Sequence, residues 1–345
     1  MPMIRRLDVA DTVTAQRWDR FVLACPEATF FHRSSWQQVI RDIFRHPTYF
    51  FYAELDNGIC GVLPLAHVRS RLFGNALVAM PFAVYGGVVA HKTEVADALE
   101  MEARQLATKL GVDHLEFRNV SRRHADWPTQ ELYVTFRKEI HSKVEENMQE
   151  IPRKQRAMVR KGIKNGLLST VDRDTDRFFA LYADNVHRHG TPALPKRYFD
   201  TLLQVFGDDC EILTVTDSEG RLLSSVLSFY FRDEVLPYYA GDDESARHLA
   251  ANDFKYWELM RRSCERGIKV FDYGRSKRGT GSFAFKKNWG FEPQPLHYEY
   301  CLYKRDSIPQ NNPSNVKYRL FIEAWRRMPI GLANWLGPHI VRNLG

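Results

Sequence analysis

The sequence contains few cysteines, and their spacing excludes two classes of small-protein architecture. The five cysteines are far apart, and no pair has the Cys-x-x-Cys spacing of a zinc or redox site. An odd number of scattered thiols also gives no disulfide framework. We therefore expect reduced, mostly buried thiols, because free cysteine packs as a small hydrophobic residue, and we expect no metal site.

Long apolar runs and covalent-catalysis motifs are missing as well. No segment reaches the roughly 18 apolar residues needed to cross a bilayer. Residues Met1–Asp11 lack the apolar region of a signal peptide, so a cytoplasmic location is expected. The sequence has no nucleophile elbow with a Ser-His-Asp or Cys-His order, and no covalent enzyme intermediate is predicted.

Charge is unevenly distributed along the 345 residues. The net charge is only +7, but residues 151–166 carry six Lys/Arg and no acid. Residues 272–287 carry five Lys/Arg against one acid, and residues 316–345 carry five against Glu323. Such concentration predicts binding to phosphates or to an anionic surface.

The order of predicted elements repeats along the chain. Each half reads as helices, an antiparallel meander, a helix and a strand, with hairpin turns at Asp56-Asn57-Gly58 and Asp217–Gly220. The length suits two domains, each with its own core. We predict an α/β (α+β) chain with a first domain at 1–143, a basic helical connector at 144–170, a second domain at 171–305, and basic amphipathic helices at 306–345.

The most informative stretch follows a predicted strand that ends at Asp272-Tyr273. A loop with Gly274, Gly279 and Gly281 leads into a short helix, and cationic residues surround it. Glycines let main-chain N–H groups approach an anion, and a helix N-terminus favours negative charge. The spacing fits neither a Walker A loop nor a dinucleotide fingerprint. The pattern predicts a phosphate or oxyanion site, with an ordinary surface turn as the alternative.

Three motifs carry a family resemblance. The run YYAG…FDYG…G-x-G…FKKNWGF resembles the C-terminal half of Fem-type peptidyltransferases, a branch of the GNAT superfamily. IPRKQRAMVRKGIKNG resembles the basic stretch before that half, and FFHRSSWQQVI resembles the family's N-terminal helix entry. The likeness runs in order over most of Thr29 to Tyr300. It is nearest to the FemAB-like subgroup associated with exopolysaccharide and PEP-CTERM/exosortase systems.

The resemblance implies tandem GNAT-like domains, each a twisted mixed sheet flanked by helices, and an N-acyltransferase. The acceptor would be an amine on a phosphorylated or lipid-linked glycan or peptide precursor of the envelope, bound by the first domain and the connector. The donor would be a co-substrate, aminoacyl-tRNA in characterised members, and no cofactor would be tightly bound. tRNA is therefore an implied partner.

The resemblance also assigns residues. The family's functional Phe-Lys pair falls on Phe285 and Lys286, where the lysine would stabilise an oxyanion or a donor phosphate and the ring would stack on a base. Lys286 and Asp272 are the predicted catalytic residues. The predicted substrate-binding residues are Arg153, Arg156, Arg160, Tyr239, Arg275, Lys277, Gly279, Gly281, Phe285 and Lys287.

Two departures from the family pattern bear on the substrates. Acetyl-CoA-binding GNAT domains have a glycine-rich pyrophosphate loop, whereas Gly241–Arg247 contains three acids, which disfavours acetyl-CoA bound in the usual way. Fem-type enzymes tend to carry a lysine after the residue equivalent to Trp36, and the nearest cation here is Arg41. No general base is evident; His187, His189, His297 and Asp272 are the candidates.

The C-terminal tail from Val316 predicts amphipathic helices with a kink at Pro329. Apolar residues including Trp325 recur on one helical face, and cations lie elsewhere. This pattern is typical of an interfacial membrane anchor, and equally of a helix that docks on its own enzyme. Peripheral contact of 316–345 with the inner membrane is one expectation.

Two alternative functions stay open at this stage. The same fold could host an acyl-CoA-dependent N-acyltransferase that acts on an amino sugar or small amine. A non-catalytic RNA-binding protein would also use concentrated basic segments, although the sequence has no RRM or KH signature.

Overall fold

The computed structural model of the chain describes residues 2–56, 58–70, 73–309 and 316–343. Asn57 of the predicted hairpin turn lies outside the described residues. So do residues 310–315 and 344–345 of the predicted C-terminal segment, and the side chains of Lys317 and Arg319.

The described residues up to 139 form eight strands, three longer helices and a short 3-10 helix at Phe30–His32. They are β1 (Met3–Arg6), α1 (Thr12–Ala24), α2 (Trp36–Val39, continued by a π-helical turn Ile40–Phe44), β2 (Thr48–Leu55), β3 (Gly58–Ser70), β4 (Gly74–Ala79), β5 (Val89–Ala90), α3 (Thr93–Leu110), β6 (His114–Asn119), β7 (Thr129–Gln130) and β8 (Tyr133–Glu139).

The rest of the chain adds nine helices and eight strands among the residues described. They are α4 (Val144–Glu150), α5 (Arg153–Lys164), β9 (Leu168–Asp172), α6 (Asp176–Arg188), α7 (Lys196–Phe206), β10 (Cys210–Thr216), β11 (Leu222–Phe231), β12 (Glu234–Asp242), α8 (Ala246–Leu249), α9 (Ala251–Glu265), β13 (Val270–Asp272), β14 (Ser276–Lys277), α10 (Gly281–Asn288), β15 (Pro293–Pro295), β16 (His297–Leu302), α11 (Val316–Arg327) and α12 (Ile330–Val341).

The strands form two mixed sheets with the same central order. The first runs β1-β2-β3-β4-β6-β16-β7, with β5 paired to β3. The second runs β14-β8-β13-β12-β11-β10-β9, with β15 paired to β8. In each sheet an antiparallel meander leads to one parallel pair, β4 with β6 and β12 with β13. A helix crosses between the parallel partners, α3 in the first sheet and α9 in the second, as a parallel connection requires. The duplicated α/β architecture predicted from element order is confirmed.

The compact units divide the chain differently from the predicted boundaries. Unit 1 comprises residues 2–131, 296–309 and 342–343, and unit 2 comprises 132–295 and 316–341, within the described part of the chain. β8 therefore belongs to the second sheet, where Lys138 pairs with Phe271, and β16 belongs to the first, where Glu299 pairs with Phe117. The segment predicted as a connector supplies α4, α5 and β9 of unit 2.

Each unit has its own apolar core. In unit 1, α3 packs on the sheet through side chains such as Leu99 and Ala103, which meet Leu63 and Leu115. In unit 2, α9 packs through Trp257 and Met260 against strand residues such as Val226 and Phe271. The five cysteines are free thiols, three of them buried and two half-buried.

A buried ionic cluster holds the edge of unit 1. The imidazole Nε2 of His124 lies 3.0 Å from a Glu100 oxygen, and its Nδ1 lies 3.6 Å from the buried Glu299. The His124 ring also stacks on Trp127, with ring centroids 3.8 Å apart. Burial alone lowers the pKa of His124, but the bonds to Glu100 and Glu299 outweigh it and raise the pKa to about 9.

This cluster makes the stability of unit 1 depend on pH. The His124 pKa is raised in the folded state, so its stabilisation is complete below its unfolded pKa of about 6.5 and is lost as the pH rises through about 9. We expect His124→Gln to reduce the free energy of unfolding by about 2–3 kcal/mol at pH 6 and by much less at pH 10. Urea unfolding of both proteins at the two pH values measures this; an equal difference at both would contradict the charged-histidine account.

Candidate functional site

The parallel strands of unit 2 diverge soon after they pair. β12 and β13 are joined at two residue pairs, Glu234 with Val270 and Val235 with Phe271. β12 then continues to Asp242, and no other described strand pairs with that edge beyond Val235. Residues 236–242 of β12 thus have one edge with no strand partner among the described strands, and main-chain groups on such an edge can hydrogen-bond to a ligand. We call this the open edge of β12.

Tyr239 lies on β12 within this stretch. Its hydroxyl is 3.0 Å from the hydroxyl of Tyr198, and its ring packs edge-on against Phe199 and Tyr182. Burial raises the pKa of Tyr239 well above 10, so the phenol is neutral across the physiological range. The structure thus gives this predicted binding residue a fixed orientation in an aromatic cluster.

Asp272 ends β13 and is fully buried. One of its carboxylate oxygens accepts hydrogen bonds from the Gly274 main-chain N–H, at 2.7 Å, and from the Thr135 hydroxyl, at 3.2 Å. Gly274 has a φ of +62°, which favours glycine. Asp272 therefore stabilises the turn that redirects the chain out of the sheet.

Lys286 holds the same turn through its carbonyl groups. Its ammonium donates to the carbonyls of Tyr273, Gly274 and Arg275 at 2.6, 3.1 and 3.1 Å. The side chain is 8% exposed, and burial lowers its pKa to about 8, although the Asp272 charge acts in the opposite direction. All three ammonium protons have main-chain acceptors, so an oxyanion would have to replace one of these carbonyls. The catalytic role of Lys286 stays a prediction. The contacts that the structure shows for its ammonium are those that position the turn.

Phe285 belongs to a second aromatic cluster at the base of α10. Its ring contacts Tyr256, Trp289 and Tyr273, with centroids 5.5, 5.9 and 6.3 Å apart. The side chain is half-buried, so only part of the ring is available for stacking on a base. The buried Tyr273 hydroxyl in this cluster has no hydrogen-bond partner among the described residues.

The cationic positions of the loop between β13 and α10 are exposed at Arg275 and Arg278 and half-buried at Lys277. The Arg275 guanidinium lies over the Tyr133 ring, 4.6 Å from its centroid, and Lys277 is half-buried on β14. Gly279 has a φ of +77°, and Gly281 is the exposed first residue of α10. Lys287 is exposed near the end of α10. The predicted anion-binding residues of this loop are therefore available to a solute.

The basic helix α5 has one buried and one cationic face. Gln155, Val159 and Gly162 are buried, and the absent side chain of Gly162 lets the Phe254 side chain approach closely. The opposite face borders an open depression of about 480 Å³. The described residues that line it are Arg153, Arg156, Ala157, Arg160, Lys161 and Lys164. Since none of them is acidic, the depression favours anions, and the predicted arginines share one surface.

Asp253 links this helix to α10, and sequence reasoning missed it. One carboxylate oxygen accepts from Gln155 Nε2 at 3.1 Å and from the Trp289 indole N–H at 3.0 Å. Burial raises the pKa of Asp253, and both hydrogen bonds oppose that rise. Gly290 also packs against Pro152, which precedes α5. The cationic helix and the helix of Lys286 are therefore held together inside unit 2.

The acidic loop after β12 is largely neutralised by protein groups. Asp242 pairs with the fully buried Lys255 at 2.9 Å, and Asp243 pairs with Arg221 at 3.1 Å. Asp243 also accepts from the Ser245 main-chain N–H at the start of α8, at 2.9 Å. A carboxylate of the protein thus occupies a main-chain donor to which a pyrophosphate would bind in this loop.

The candidate bases occupy different surroundings. His187 Nε2 lies 2.9 Å from the Met328 carbonyl, His189 is exposed after α6, and His297 pairs with Asn119 in the first sheet. In unit 1, Arg41 forms an ion pair with Asp42 at 2.7 Å, so this cation is already engaged. The described residues contain no cluster of three or more His, Cys, Asp or Glu side chains that could hold a metal.

Comparisons with known proteins agree with this geometry. Residues 147–287 match the family described as an acetyltransferase (GNAT) domain. The fold is similar to that of FemX, with a TM-score of 0.68 and 15% identity over 87% of this chain and 98% of the other. It is also similar to a tandem GNAT protein of clavulanic acid biosynthesis, with a TM-score of 0.55 and 13% identity over 89% and 100% of the two chains.

A third similar structure is the C-terminal domain of a candidate lysylphosphatidylglycerol synthetase from Agrobacterium fabrum. It gives a TM-score of 0.58 and 12% identity over 84% of this chain and 92% of the other. No curated protein sequence matches the chain. Among the described helices, none combines the length and apolar character needed to cross a membrane.

These findings confirm the predicted fold class and enzyme class. The two sheets have the tandem GNAT-like arrangement, and the family match within unit 2 supports an acyltransferase. The structural similarities at 12–15% identity concern the fold. The residue roles, the subgroup and the substrates stay predictions.

Proposed function

We propose that the chain is an N-acyltransferase of Fem type, which transfers an aminoacyl or other acyl group to an amine on a phosphate-bearing envelope or exopolysaccharide precursor. The acyl end of the donor binds along the open edge of β12 in unit 2. The cationic face of α5 binds the acceptor phosphate. Of the observations, the composition of this helical face supports the proposal most strongly.

The α5 face suits a phosphorylated acceptor for three reasons. It presents five cations to one depression without an acid among the described lining residues. Its arginines can bind phosphate oxygens through two parallel hydrogen bonds. The helix is also anchored through Gln155, Asp253 and Trp289, so its main chain needs little reorganisation when the ligand binds.

The chemistry requires little from the protein beyond position and charge. The acceptor nitrogen attacks the acyl carbonyl carbon, a C–N bond forms, and the carbonyl oxygen becomes an oxyanion. Collapse of this intermediate breaks the bond to the donor's sulfur or oxygen, and the surplus amine proton passes to the leaving group or to water. Cations of the 275–287 loop, which comprises the connection from Arg275 to Thr280 and α10 as far as Lys287, would stabilise the transient negative charge. Stabilisation of charge in the transition state accelerates the step.

The donor is either an aminoacyl ester on tRNA or an acyl-CoA thioester. GNAT proteins use acyl-CoA as co-substrate, and the family match favours that donor. The occupied main-chain donor at Ser245 argues against a pyrophosphate in the loop after β12, as the three acids there predict. An acyl-CoA would therefore have to place its pyrophosphate elsewhere, for example on the exposed 275–287 loop.

A reconstituted assay tests the proposal and identifies the donor class. The purified chain is incubated with a fraction of nucleotide- and lipid-linked precursors, together with either charged tRNA or acyl-CoA, and the products are weighed by mass spectrometry. We expect one added acyl group per precursor. RNase abolishes the product if tRNA is the donor and leaves it unchanged if a thioester is. An unmodified precursor pool with both donors would contradict the proposal.

Charge reversal on α5 gives a sharper test of acceptor binding. We expect Arg156→Glu/Arg160→Glu to raise the KM for the acceptor by about 10- to 100-fold with a smaller change in kcat, since two phosphate contacts become repulsive. Lys269→Glu/Arg197→Glu changes the net charge equally at exposed positions outside α5 and is the matched control. Equal KM values in the two double variants would show that overall charge, rather than this helix, governs binding.

A further inference from the structure

The two C-terminal helices are fixed to unit 2 by one side. Trp325 of α11 is buried, Ile322 packs over Gly190, and Gly337 of α12 fits against the main chain of Ala193. The Met328 carbonyl at the junction lies 2.9 Å from His187 Nε2. The tail sequence predicts either a membrane anchor or a helix that docks on its own enzyme. The inner side of α11 and α12 docks on unit 2 in this way.

The outer side of the same helices is apolar and exposed. Trp335 is 66% exposed and Leu320 is 61% exposed. Large apolar side chains that are grouped on a surface mark a site of contact with a partner or a membrane. Leu332 and Trp335 lie three residues apart and so share one face of α12. Phe321 of α11 and Ile330 at the start of α12 are also exposed, at 39% and 42%.

Two arginines close α11, and one of them, Arg326, also donates a hydrogen bond to the His189 carbonyl of unit 2 at 3.4 Å. Arg326 and Arg327 at the end of α11 are exposed, and Glu323 is the single acid between 316 and 343. Exposed tryptophan and leucine next to arginine match the interface of a bilayer, where the rings enter the headgroup region and the cations meet anionic lipids. A twofold contact between copies of the chain would bring the arginines of both copies together, which like-charge repulsion disfavours.

We propose that this outer side, consisting of the exposed residues of α11 and α12, binds the surface of an anionic phospholipid bilayer. The helices lie on the bilayer and do not cross it, because each has only 12 residues and carries or adjoins charge. Their inner side stays packed on unit 2, so binding brings the enzyme to the membrane without unfolding the tail. The inference is independent of the proposed acyl transfer.

Vesicle cosedimentation of the full chain tests this surface. We expect the protein to sediment with vesicles of phosphatidylcholine and phosphatidylglycerol, to bind far less to phosphatidylcholine alone, and to be released by salt. Arg326→Glu/Arg327→Glu should weaken binding at least about tenfold, since each arginine near an anionic surface contributes about a fivefold change. Leu332→Ser/Trp335→Ser should weaken it to a similar extent.

The control is Met101→Ser/Leu168→Ser, which removes two apolar side chains that are 60% and 57% exposed elsewhere. This variant should bind anionic vesicles like the wild type, and circular dichroism should show all variants folded. Binding that is equal in the control and the tail variants, or no binding by the wild type, would overturn the proposal. A dimer seen by light scattering and lost in Leu332→Ser/Trp335→Ser would assign the surface to a second copy instead.

Discussion

Replacing Lys286 by methionine is expected to reduce kcat/KM by about 100- to 1000-fold, the range typical for loss of one group that stabilises developing negative charge. The ammonium of Lys286 binds three consecutive carbonyls at the end of β13. Without it, the three carbonyls at this turn, including that of Arg275, lose their hydrogen-bond donor. The effect therefore follows whether Lys286 meets the oxyanion itself or orients the loop that does.

The pH dependence of the activity of the same variant tests whether the protonated form of Lys286 is the active one. The pKa of Lys286 is about 8 in the folded chain, so wild-type activity should fall as the pH rises through 8, and this decrease should be absent in Lys286→Met. The stability of the fold depends on pH in the opposite direction to the activity. A lysine pKa depressed from 10.5 means that the buried charge disfavours folding below about pH 8, and stability gains as the pH rises from 8 to 10.5.

Lys287→Met is the matched control, since its side chain is exposed one residue further along α10. We expect this variant to keep its fold and its pH profile, with at most a several-fold change in KM from a lost surface cation. Wild-type activity in Lys286→Met, measured on folded protein, would remove Lys286 from the site altogether.

Gly241→Ala is expected to destabilise unit 2 by at least about 3 kcal/mol, because main-chain overlap cannot be relieved by a side-chain rotation. The added Cβ would lie 2.5 Å from the Cα of Tyr182, and closer still to the carbonyl carbon of Leu181. The glycine thus lets α6 pack directly on β12. In sequence Gly241 begins the segment that stands in the position of a pyrophosphate loop but carries three acids, and in the fold it serves helix–strand packing.

Gly281→Ala distinguishes a glycine needed for packing from a glycine needed for close approach of a ligand. A Cβ at Gly281 has no atom of the described chain within 4 Å, and alanine suits the first turn of a helix. We expect Gly281→Ala to leave the melting temperature unchanged or slightly raised, while donor KM rises if an anion approaches this main chain closely. Calorimetry and steady-state kinetics on both glycine variants measure the contrast. An unstable Gly281→Ala or a fully stable Gly241→Ala would contradict this assignment.

The fold class could be predicted from the sequence because helices and strands are encoded by local residue patterns. Glycine-bounded helices and alternating strands give the element order, and that order predicts a duplicated α/β chain. Local patterns could not predict that β8 joins the second sheet and β16 joins the first. β8 pairs with β13 across more than a hundred residues of chain, and a short amphipathic strand carries no sign of its distant partner.

The candidate site was predictable in outline and not in detail. Helical periodicity places Arg156 and Arg160 on one face of α5, and the structure has them lining one depression. Helical periodicity does not reveal that Lys286 is buried. Neighbouring lysines in a sequence predict a solvent-exposed helix face, because lysine is rarely buried. Asp253 was missed for a related reason, since a carboxylate early in a helix is ordinary and its partners come from two other segments.

The most direct test compares one acceptor with and without its phosphate. The purified chain receives a precursor fraction before and after phosphatase treatment, with the donor that supports transfer, and mass spectrometry follows the added acyl group. We predict that removal of the phosphate slows acylation at low acceptor concentration at least tenfold, and that Arg156→Glu/Arg160→Glu slows only the phosphorylated substrate. Equal acylation of both forms by the wild type would contradict the role of the cationic helix and the account built on it.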